Sequence, residues 1–96
     1  MHVLLWSFRC RAGREPAFES AYGPAGDWAR LFGTDPAFLG TELMRGSDGT
    51  YLTIDRWTSA EAHAAFRERH RDAYDALDRQ CEPLTENETP LAALDL

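Results

Sequence analysis

Few side chains in this sequence are of types that do chemistry, and their spacing removes most of the options. His2, His63 and His70 form no i, i+4 pair, and there is no HExxH or CxxC pattern, so no metal site is expected. All ten basic residues are arginine. Without a lysine amine, neither Schiff-base chemistry nor a phosphate-binding P-loop is available. No GxGxxG or GxSxG occurs, which leaves dinucleotide binding and nucleophile-elbow hydrolysis without support. What remains is a set of aromatic residues with polar neighbours: Trp6, Trp28, Tyr51, Trp57, Phe66 and Tyr74, with His70, Arg56 and Arg69. His70 sits at the border of an apolar helical arc, where an imidazole facing a cavity would exchange a proton near neutral pH; a satisfied edge histidine is the competing reading. Arg69 offers either an anion-binding guanidinium or a stem that covers apolar surface. For any single aromatic the plainer reading is a core residue. His63 and His70, two turns apart, read as a solvated pair.

Positioning such a set requires a scaffold, and the periodicity supplies one. His2 to Arg11 alternates, with Leu4, Trp6, Phe8 and Cys10 on one face and Val3, Leu5, Ser7 and Arg9 on the other. Apolar residues on both faces predict a central strand. A helix follows from Arg14, with Pro16 in its first turn and Phe18, Ala21 and Tyr22 on its inner side. Gly23-Pro24 interrupts, and a second short helix carries Trp28, Leu31 and Phe32 inward as far as Gly33. The break lets the Trp28 segment act as a flap. Phe38 to Arg45 and Thr50 to Trp57 read as strands joined at Gly46-Ser47-Asp48-Gly49, a hairpin signal. Thr58 and Glu61 form a capping box that opens one long helix to about Arg79, with Ala62, Phe66, Ala73 and Leu77 inward. Pro83 stops it. Thr85 to Pro90 reads as a polar connection and Leu91 to Leu96 as a final short strand.

The resulting order, β-α-β-β-α-β, predicts an α+β ferredoxin-like fold: a four-stranded antiparallel sheet with helices on one face. Ninety-six residues make a single domain, 1–96. Leu52 and Ile54 on the outer sheet face have nothing left in the chain to cover them, so a two-fold homodimer, sheet against sheet, is expected. A net charge of −6 with scattered arginines argues against a nucleic-acid partner. The apolar start is too short for a secretory or membrane segment, and a cytoplasmic protein is expected. Cys10 and Cys81 come to the same side of the fold and read as small core residues in a reducing compartment.

The chain resembles the antibiotic biosynthesis monooxygenase domain family, of the dimeric α/β barrel group. The resemblance covers nearly the whole chain and is carried by "LLWSFRCRAGRE", "FLGTELMRG", "YLTIDRW" running into "TSAEAHAAF", and a helix with the pattern "H…Y…LD…C"; "YGPAGDWARLF" is similar to a bacterial subgroup. It implies a small apolar or aromatic ligand and, as in some members, oxidation of a phenol- or anthrone-like substrate by O2 with no cofactor. A non-catalytic, ligand-binding homodimer is the alternative. On that basis His70 and Tyr74 are the candidate catalytic residues, and Trp28, Trp57, Phe66 and Arg69 the candidate substrate-binding residues. Haem-degrading relatives carry an Asn on the first strand, a Trp on the long helix and a later His. Here those positions hold Trp6, Phe66 and the Tyr74-Asp75 pair, which disfavours haem degradation.

Overall fold

Strict alternation makes His2–Cys10 (β1) and Thr50–Trp57 (β3) the two central strands of the sheet, and their antiparallel register decides what faces inward. Phe8 lies opposite Tyr51, Trp6 opposite Thr53, Leu4 opposite Asp55 and His2 opposite Trp57. The computed structural model describes residues 1–96. Phe38–Arg45 (β2) pairs with β3, and Thr85–Asp95 (β4) pairs with β1, giving the order β2-β3-β1-β4, all antiparallel. Four α-helices connect the strands: Glu15–Tyr22 (α1), Asp27–Phe32 (α2), Ala60–Arg69 (α3) and Arg71–Cys81 (α4). They pack on one face of the sheet, over a core in which Trp57, Tyr51, Phe18 and Phe66 are fully buried. This is the expected ferredoxin-like arrangement.

Local chemistry explains the connections. The β2–β3 hairpin turns at Gly49, whose φ of +84° suits glycine, while the Asp48 carboxylate accepts from the Thr50 N–H at 3.0 Å. Between α1 and α2 the chain folds back so tightly that a Cβ on Gly26 would stand 2.5 Å from the Ser20 carbonyl oxygen. Only glycine fits there, and this turn fixes where Trp28 begins.

The structure differs from the expected elements in four places. The long helix is two helices, because His70 leaves helical geometry (φ −112°, ψ 27°) and stacks its ring on Phe66, with centroids 4.6 Å apart. No Gly or Pro marks that break; tertiary packing overrides local propensity. Ser59, not Thr58, caps α3: it is extended, and its Oγ accepts from the Ala62 N–H at 3.1 Å. β4 begins at Thr85, so the polar stretch to Pro90 belongs to the strand. It lies at the sheet edge, where one side of the backbone has no strand to pair with, so polar residues and a proline opposite Trp6 are tolerated. His63 is not solvated but half-buried, with its ring 5.1 Å from that of Trp57.

The opposite sheet face carries Leu5, Leu52 and Ile54, each half-buried, flanked by Met44 and Leu94 at 42% and 47% exposure. No helix covers it. Cys10 and Cys81 are both free thiols.

Candidate functional site

Two clusters of aromatic rings lie under the helices, and only one of them encloses space. At the first, Trp57 sits within 5.1–5.5 Å of the rings of Phe66, Phe38, Phe32 and His63. This end is closed. At the second, the helix-facing side of β1 and β3 meets α1, α2 and α4 around a cleft walled by Trp6, Phe8, Tyr22, Trp28, Phe32 and Tyr74. The cleft is half open, with a volume of about 70 Å³, or about 510 Å³ when the solvent-filled space out to its mouth is included. Trp28 organises the wall: its ring meets Tyr74 edge-on at 4.9 Å and lies 6.1 Å from Tyr22. Its indole N–H is buried without an acceptor.

The polar lining is acidic. Asp55 reaches the cleft from β3, Asp78 from α4 and Glu88 from β4, with Thr41 and Thr53 beside Asp55. Asp55 lies inward because it shares strand parity with Tyr51, Thr53 and Trp57. Burial raises its pKa above the ordinary carboxylate value, partly offset by the Thr41 hydroxyl, which donates to it. Glu88 is raised by burial and then by the nearby negative charges of Asp78 and Glu82. Both cleft tyrosines, Tyr22 and Tyr74, are pushed up chiefly by burial and stay protonated at neutral pH. A carboxyl group that resists ionisation in an aromatic pocket is suited to take a proton from a bound acid.

Of the residues expected from sequence, Trp28 and Tyr74 line this cleft. The other four lie elsewhere, each for a physical reason. Trp57 and Phe66 are fully buried in the closed cluster. Arg69 is held in an ion pair with Asp35, a nearly buried carboxylate that also accepts from the Ala37 N–H at 2.8 Å, so it ties α3 to the turn before β2. His70 lies at the α3–α4 junction against Phe66. The residues missed are Asp55, Asp78 and Glu88. The signal for Asp55 was present: an acid on the inward parity of a strand whose other inward residues are Tyr51, Thr53 and Trp57. Asp78 and Glu88 had none: neither helical spacing nor the polar run from Thr85 to Pro90 marks an acid that lines a cleft.

No protein-family model and no curated protein matches the chain. Solved structures do. A variant of SnoaB, a cofactor-independent oxygenase from Streptomyces nogalater, aligns with a TM-score of 0.75 at 18% identity over 99% of this chain and 91% of that one. An Arg-to-Ser variant of MhuD, solved with two manganese protoporphyrin IX molecules per active site, aligns with a TM-score of 0.72 at 23% identity over 100% of this chain and 94% of that one. A candidate antibiotic biosynthesis monooxygenase from Nitrosomonas europaea gives 0.70 at 12% identity over 99% and 97%. The likeness is one of fold. The chain has the ferredoxin-like architecture of these structures, as the sequence resemblance implied.

Proposed function

We propose, with that shared architecture as the premise, that the chain binds a small flat aromatic molecule in the Trp28–Tyr74 cleft and oxidises it with O2. The single observation that carries the proposal is Asp55: a half-buried carboxyl of raised pKa, facing a cleft with aromatic walls. The substrate class follows from the base. Asp55 removes a proton from an acidic C–H or O–H, as an anthrone or hydroquinone offers, and the resulting carbanion or phenolate is electron-rich enough to reduce O2 directly. For a methylene substrate the step balances without a reductant. The carbon first forms a hydroperoxide with O2; loss of water then leaves one oxygen atom in the new carbonyl and carries off the other with both methylene hydrogens. Tyr74 and Trp28 hold the ring plane, and exclusion of water favours the anion's reaction with O2. The relation to SnoaB, a cofactor-independent oxygenase with the same fold, supports this reading.

The cleft's volume of about 70 Å³ is smaller than the roughly 150 Å³ of an apolar cavity known to take benzene, so a ring-sized ligand would extend into the open part of the cleft or displace a wall. The segment after Gly23-Pro24 that carries Trp28 is the wall built as a separate short helix. Against a haem ligand stands the cleft lining, which contains no histidine or cysteine. The uncovered apolar sheet face supports a homodimer; light scattering is expected to give twice the monomer mass at micromolar concentration, and a stable monomer would contradict it.

The test is oxygen uptake with anthrone and hydroquinone substrates. Asp55→Asn is expected to lower turnover by about 10²–10⁴-fold, the usual contribution of a positioned base. His70→Ala is expected to retain it. A fully active Asp55→Asn, or loss confined to His70→Ala, overturns the assignment.

A further inference from the structure

The cleft has a second acidic feature that proton abstraction does not use. Asp78 on α4 and Glu88 on β4 reach the cleft from different elements, on its more exposed side, and the charge of Asp78 adds to the burial that disfavours ionisation of Glu88. None of the ion pairs in the fold involves Asp55, Asp78 or Glu88. No arginine or histidine lines the cleft. The guanidinium of Arg67 lies 4.3 Å over the ring of Tyr74 without entering the cleft lining. Aromatic faces attract cations through their quadrupole, most strongly where water is excluded, and carboxylates beside them add direct attraction. Such a site repels a carboxylate or phosphate and receives an ammonium group.

We propose that the ligand of this cleft is an aromatic molecule bearing a protonated amine, its ring against the wall formed by Trp28 and Tyr74 and its ammonium held by Asp78 and Glu88. This rests on the reading of the cleft as a binding site and adds the charge of what it takes. A cation there relieves the repulsion between the two carboxylates, which have no counter-ion from the chain. It also leaves Asp55, further along the lining on β3, free to act on the ring. The ligand-selecting residues are thus distinct from the proton acceptor.

The experiment compares three probes with one ring system by isothermal titration: naphthylmethylamine, naphthalenemethanol and naphthoate. The ammonium is expected to bind about ten-fold more tightly than the alcohol, the effect of roughly 1.4 kcal/mol from cation–π and carboxylate contacts together. Naphthoate is expected to bind more weakly than either. In the Asp78→Asn/Glu88→Gln double variant the amine-to-alcohol ratio falls toward one. In Asp72→Asn, which removes an exposed charge at the start of α4 outside the cleft, the ratio is unchanged. Equal binding of amine and alcohol, or a preference that survives the double variant, overturns this inference alone. Failure of all three probes to bind overturns it together with the proposed function.

Discussion

The two aromatic clusters are built from similar residues and do opposite things. Around Trp57 the rings of Phe32, Phe38 and Phe66 close on one another, and the polar neighbour is His63. Around Trp28 the rings stop short, leaving a cleft into which three carboxylates project. Phe32 belongs to both, so the closed end buttresses the helix whose other side lines the open one. The comparison shows that aromatic content does not mark a site. What distinguishes the open end is acidic groups in its lining with no cation to meet them.

The sharpest way to break this contrast is to truncate one tryptophan at each end. Trp57→Ala is expected to destabilise the fold by about 3–5 kcal/mol, as for other large-to-small changes in packed cores. Trp28→Ala is expected to cost less, because one side of its ring already borders space. Urea unfolding measures both, and equal losses would mean that the open end is packed as core.

A smaller effect is the pH dependence of stability, where the clusters have opposite signs. Burial raises the Asp55 pKa, so the folded protein keeps a proton that the unfolded chain has released above its own pKa. Stability therefore falls as pH rises through that window, and Asp55→Asn is expected to flatten the fall. Burial pushes His63 from 6.5 down to about 4, so the folded protein refuses a proton that the unfolded chain accepts. Here stability falls as pH drops from 6.5 toward 4, and His63→Gln is expected to remove that loss. Urea midpoints between pH 4 and 8 for the three proteins provide the check. If either variant leaves its limb as steep as wild type, the assigned titration is wrong.

The smallest effect is in motion. Amides of the Trp28 segment, residues 23–33, are expected to exchange faster than those of β3 under Trp57, and to slow when an aromatic ligand binds. Protection across that segment as strong as in β3, with or without ligand, would count against the flap.

Much of the scaffold was readable because alternation and helical spacing follow directly from which face is buried. Strand parity even put Asp55 on the inward side, but an acid between Thr53 and Trp57 gave no sign of whether it met a void or a partner. That depends on distances between elements. The same limit hid the break at His70, which no Gly or Pro announces, and the first half of β4, whose polar residues suit an edge but resemble a loop. It also explains why Trp57 and Phe66 stood beside Trp28 and Tyr74 as candidates: their chemical types match, and only packing separates them.

The most direct measurement uses the three tryptophans as reporters in a nitrogen-edited NMR titration with naphthylmethylamine and naphthalenemethanol. The indole N–H resonances of Trp28 and Trp6 are expected to move in saturable fashion while that of Trp57 stays in place. Movement of Trp57 with Trp28 and Trp6 unchanged would put the binding site at the wrong end of the molecule.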